Sequence, residues 1–84
     1  YRISKKSTSK KPERDPRLKV IGEKIIKLRK DKGFSSSEAF AWEYGFNRVQ
    51  YWRMENGQNF TIESLFKVLD AMEITAEELF KEVK

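Results

Sequence analysis

Residues 35–57 read SSSEAFAWEYGFNRVQYWRMENG, and this stretch decides the fold. Two short helical patterns lie on either side of Gly45. Ser35 with Glu38 makes a capping-box pattern, with Ser36 as a rival N-cap. Ala39, Phe40, Ala41 and Tyr44 follow, and Gly45 breaks the helix. Phe46 then precedes Asn47, a strong N-cap, and a second helix runs to about Asn56 before Gly57 ends it. Tyr51 and Met54 are three apart and face inward, while Arg48, Val49, Trp52 and Arg53 project away and Gln50 lies on the flank.

The flanks add three more helices. Upstream, Asp15 is an N-cap and Pro16 suits the first helical position, where its missing N–H costs nothing. Leu18, Ile21, Ile25 and Leu28 then form an apolar stripe that Gly33 stops. Downstream, Thr61 caps a helix with inward positions Ile62, Leu65, Phe66, Val68, Leu69 and Met72. Thr75 with Glu78 is a capping box for a short last helix carrying Leu79, Phe80 and Val83. Tyr44, Tyr51, Phe40 and Phe66 read as core. No segment alternates with period two, so no strand is expected. The fold class is all-α, five helices in residues 15–84, at a size where burial on folding is only about 60%.

Composition narrows the chemistry. With no histidine and no cysteine, disulfides, thiolate and imidazole catalysis and the usual zinc sites are excluded, and no metal or other cofactor is expected. Only carboxylates such as Glu38 and Glu43 remain for catalysis, and helical surface carboxylates beside basic neighbours are ordinary, so the chain does not read as an enzyme. The longest apolar runs are three residues, such as Phe40-Ala41-Trp42, where a membrane span needs roughly 20. Lack of cysteine fits a reducing cytoplasm, the expected location. The first residue is Tyr1 rather than Met, so the chain reads as a fragment or a processed form.

The net charge of +5 is carried by residues 1–14, whose six basic groups face Glu13 alone; residues 15–84 are neutral. The body is polarised, +4 over residues 15–34 and −3 over residues 58–84. Ile3 is the one aliphatic side chain in YRISKKSTSKKPER, too little to offset an ordering cost of about 1–2 kcal/mol per residue. Residues 1–14 therefore read as a disordered basic arm, either attracting a polyanion or merely solubilising the terminus.

Two short helices across a glycine turn, the second polar on its outer face, make a helix-turn-helix pattern. The DNA major groove, about 12 Å wide, admits one α-helix, and the preceding helix must brace it. Ala41 supplies the small residue where the two helices nearly touch. Together with Leu28-Arg29, Gly33, Phe40-Ala41, Gly45, Glu55-Asn56-Gly57 and the Thr75-to-Leu79 ending, this pattern resembles the Cro/C1-type (XRE) helix-turn-helix family over about residues 18–80. Two departures stand out. One extra residue lies between Gly33 and Phe40, so that Ser37 falls where the family has a phosphate-holding Gln. Trp42 and Trp52 occupy positions usually polar.

The resemblance implies a lambda-repressor-like domain that binds double-stranded DNA in a sequence-specific way and regulates transcription, with repression by occlusion the simplest mode. It places Asn47, Arg48, Val49, Gln50 and Arg53 at bases or flanking phosphates, and Ser37, Asn56 and Asn59 at the backbone. Chemically, Arg48 or Arg53 suits guanine, Gln50 adenine and Val49 a thymine methyl. It also implies an Arg29–Glu55 ion pair, and a homodimer through the C-terminal helix, with Ile74, Leu79, Phe80 and Val83 as the surface. Each assignment has a plainer counterpart: arginines on a helix are commonly solvated, and Trp52 can pack on a neighbour. The rival from another class is a protein-interaction module, an antitoxin or coactivator-like adaptor, using Trp42 and Trp52. RNA binding through the arm is a second rival.

Overall fold

A computed structural model describes residues 14–81 and 83. The expectations for residues 1–13 lie outside the described residues. Five helices follow in order: α1 Pro16–Asp31, α2 Ser37–Tyr44, α3 Arg48–Glu55, α4 Ile62–Met72 and α5 Ala76–Phe80. Among the described residues there is no strand, and no helix is long and apolar enough to cross a membrane.

Each helix starts where a side-chain oxygen satisfies an otherwise unpaired backbone N–H. Asp15, Ser36, Asn47, Thr61 and Thr75 accept from the backbone N–H of Arg17, Ala39, Gln50, Ser64 and Glu78, at 2.9–3.1 Å. At α2 the cap is Ser36 and not Ser35, one residue later than the capping-box spacing suggested. The Arg17 side chain also donates to Asp15, and chiefly for that reason the Asp15 carboxyl is lowered from 3.8 to about 2.

One core serves all five helices. Ile21 and Ile25 from α1, Phe40 and Ala41 from α2, and Tyr51 and Met54 from α3 are buried together. Leu65, Val68, Leu69 and Met72 of α4 and Leu79 of α5 close it from the other side. Phe34, Phe40, Tyr44, Phe46 and Tyr51 form a continuous aromatic cluster, with the Phe40 and Tyr51 centroids 5.1 Å apart.

Three expectations about burial do not hold. Ile62 and Phe66 are 60% and 51% exposed, because α4 turns the narrower arc of Leu65, Val68, Leu69 and Met72 inward and leaves its flank in solvent. Tyr44 is 38% exposed: its ring lies at the edge of the aromatic cluster, against Phe34, Phe40 and Phe46, with its outer part in water. Leu79, assigned to a dimer surface, is a buried core residue, so only Phe80 of that set is an exposed large apolar group. Ile74 and Val83 are partly buried against the core.

α4 ends without glycine. Glu73 takes the left-handed conformation (φ 64°) there, a backbone shape that costs a side-chain-bearing residue about 1–2 kcal/mol.

Candidate nucleic-acid interface

The back of α3 is fastened at three places. At the turn, Gly45 adopts φ 73°, the left-handed shape that reverses the chain, and the Phe46 N–H donates to the Ala41 carbonyl at 2.9 Å. At the middle, Tyr51 and Met54 enter the core. At the C-terminal end α3 meets α1. Gly22 lies so close that a Cβ there would stand 2.5 Å from the Glu55 carbonyl oxygen and 2.8 Å from that of Met54.

Beside this contact, Arg29 of α1 and Glu55 of α3 form the implied ion pair, Nε to Oε2 at 2.9 Å, with side chains 7% and 4% exposed. The Nε–H is not aligned for a hydrogen bond, so the pair is held by charge rather than by a directed bond. The guanidinium also donates weakly to the Phe34 carbonyl at 3.4 Å. The Tyr51 hydroxyl is buried beside the pair without a well-aligned hydrogen-bond partner. Burial first, and then the Glu55 carboxylate, push its ionisation far above the ordinary tyrosine value of 10.0. It therefore stays neutral.

With its back fixed, α3 turns Arg48, Val49, Gln50, Trp52 and Arg53 outward, all of them exposed. Val49 and Trp52 are 53% and 48% exposed, an apolar strip between two arginines. The other residues singled out from sequence fall into two groups around it. Ser37, at the first position of α2, is half-buried and shares a shallow hollow with Glu38, Arg48, Val49 and Trp52. Asn59 shares a second hollow with Gln50, Arg53 and the start of α4.

Asn47 and Asn56 have structural duties as well. The Asn47 carboxamide oxygen caps α3, and the Asn56 amide donates to the Trp52 carbonyl at 2.8 Å, closing its last turn. Each keeps an N–H able to meet a phosphate. Arg48 is also engaged: its Nη1 donates to the Glu38 carboxylate across the α2–α3 turn. Trp42 is 85% exposed, which excludes its being a partly buried cover.

Sequence reasoning missed Gly22, the pairing of Glu38 with Arg48, and Lys24, whose Nζ donates to the Leu79 carbonyl at 2.9 Å and ties α5 to α1. Gly22 carried a signal, a glycine four residues after Leu18 on the stripe side of a helix. Glu38 carried none, since its partner is ten residues away.

No family model matches the chain. It is similar to the control protein C.MunI from Mycoplasma sp, 38% identical over 65 residues, which span 76% of this chain and 88% of that protein. Among solved structures it is similar to the restriction-modification controller protein C.AhdI from Aeromonas hydrophila. That match has 33% identity and a TM-score of 0.66, over 75% of this chain and 96% of the other. It is also similar to the controller protein C.Esp1396I, solved as a tetramer in complex with its natural 35 base-pair operator. There the identity is 26% and the TM-score 0.67, over 82% of this chain and 91% of the other. The chain thus belongs to the restriction–modification controller proteins, which are DNA-binding transcription regulators of the XRE helix-turn-helix type and not enzymes.

Proposed function

We propose that the protein binds a specific operator in duplex DNA by laying α3 in the major groove. The outward row of Arg48, Val49, Gln50 and Arg53 on a helix fastened from behind carries this reading. Arg48 and Arg53 offer forked donors to guanine, Gln50 an amide to adenine, and Val49 a methyl surface to thymine. Asn47, Ser37, Asn56 and Asn59 stand at the rim, where N–H and O–H donors suit phosphates.

A domain this small reads few base pairs, so affinity calls for two copies on an inverted repeat. The C.Esp1396I relative, a tetramer on its operator, supports such assembly. With Leu79 buried, the C-terminal helix offers Phe80 as its exposed large apolar group for self-association. Occlusion of polymerase by the bound dimer makes repression the simplest outcome.

Net charge gives the body no general attraction to DNA, since residues 15–84 are neutral. The basic residues 1–14 supply it. Removing them weakens binding and flattens its salt dependence, and an unchanged slope takes the arm out of the interface.

Selection of bound duplexes from a random pool tests the whole reading. It is expected to enrich an inverted repeat with half-site centres about 10 base pairs apart, or a multiple of that. No enrichment would refute it. A second reading, a protein-interaction module using the Trp42/Trp52 surface, is supported by the exposure of both rings, 85% and 48%. Trp42→Ala should leave operator affinity intact and abolish only a protein contact.

A further inference from the structure

α3 and its surroundings carry a charge arrangement that a simple DNA-binding surface would avoid. Residues 35–57 hold two basic and three acidic groups. Glu55 is neutralised by Arg29 in the interior, but Glu38 sits on the outer face, its side chain 67% exposed, in the hollow that holds Ser37, Val49 and Trp52. A carboxylate there repels the phosphates that dominate non-specific affinity. It is also bound to Arg48, and the contact leaves much of both groups free. The Glu38 Oε2 accepts from Arg48 Nη1, while Nη2, Nε and the second carboxylate oxygen have no partner among the described residues. A guanidinium has five N–H donors in a planar fork, so one edge can be held while another faces outward.

We propose that Glu38 is a specificity-determining residue. Through the ion pair it fixes the Arg48 guanidinium toward a single G·C pair, where Arg48 takes guanine O6 and N7 and the free Glu38 oxygen accepts from the cytosine amino group. This rests on the DNA reading above and adds a second residue, from α2, to the recognition of one base pair. Arginine suits the guanine edge and a carboxylate suits cytosine N4, and the two sit side by side in the major groove of that pair. On any other pair Arg48 lacks the paired O6 and N7 acceptors of guanine, and the free Glu38 oxygen lacks the cytosine amino donor. The pair therefore gives up general affinity for discrimination.

The test uses the chain with Glu38→Ala and Glu38→Gln, checked for folding by thermal melting. Affinities are measured for the selected operator, for each single base-pair change in one half-site, and for unrelated duplex, at several salt concentrations. In the parent chain a bidentate contact is expected to give about five- to 150-fold preference at one G·C position. Glu38→Ala should lower the preference at that position by about tenfold while leaving the others in place. It should also tighten binding to unrelated duplex and steepen the salt dependence by about one counterion, as Arg48 swings to a phosphate. Glu38→Gln, which keeps an acceptor but not the charge, should fall between.

If every base preference is unchanged in Glu38→Ala, or all fall together by one factor, Glu38 acts only on helix stability and the proposal is wrong. If the parent chain itself prefers no duplex, the DNA reading fails first and takes this one with it.

Discussion

Gly22→Ala is the sharpest test of how α3 is held. The added Cβ would stand 2.5 Å from the Glu55 carbonyl oxygen, where ordinary contact begins at 3.4 Å, so the helices must part by roughly 0.9 Å. The obstructing atoms are backbone of α3 and cannot rotate away. Overpacking of this kind costs about 1–3 kcal/mol, and a backbone obstruction belongs at the upper end. Against it stands the gain of about 1 kcal/mol for alanine over glycine inside a helix. The net loss is about 2 kcal/mol, or a melting temperature lower by about 8–16 °C for a domain of this size. Circular-dichroism thermal melts measure it, with Lys30→Ala on the exposed face of α1 as the control. Operator affinity should fall too, because the displaced end of α3 carries Arg53 and Asn56. A neutral or stabilising Gly22→Ala would refute the close α1–α3 approach.

Three further outcomes follow from the same contacts. Arg29→Met or Glu55→Leu alone should cost about 3–5 kcal/mol by leaving the other group buried and unpaired, whereas the two together should recover most of it; chemical denaturation of the double-mutant cycle reads the difference. Glu73→Gly should stabilise the protein by about 1 kcal/mol through relief of the left-handed conformation, and denaturation showing no gain would contradict that account. The Tyr51 hydroxyl, raised above 10.0, contributes stability that is complete below the unfolded value and lost as pH rises above it. Tyr51→Phe should therefore flatten the alkaline loss of stability seen in melts above pH 10.

Much of the scaffold was legible in local chemistry. Asp15, Asn47, Thr61 and Thr75 announce helix starts, because a short oxygen-bearing side chain bonds a nearby backbone N–H and that rule acts within three residues. Gly33 and Gly45 announce helix ends for an equally local reason. Three adjacent serines blur the start of α2, since each carries the same cap chemistry. The α4 stripe misled for a geometric reason. Six large apolar residues in eleven positions span a wider arc than one neighbouring surface covers, and periodicity alone does not say which edge stays wet.

The candidate site was legible in part. Its outward row follows from the inward pair Tyr51 and Met54, and the structure leaves the row exposed. The Glu38–Arg48 pair could not be read, because it joins two helices through a turn whose angle depends on packing. The buried Leu79 could not be read either, because its burial depends on how α5 docks on α1, with Lys24 reaching the last turn.

The most direct test of the account is the affinity of Arg48→Ala with Arg53→Ala, set against the parent chain, for the selected operator and for unrelated duplex. Both side chains are exposed, so the melting temperature should hold. The preference for operator over unrelated duplex should collapse by about a hundredfold or more, in line with two lost base contacts. An unchanged preference in a folded double variant would contradict the claim that α3 reads DNA.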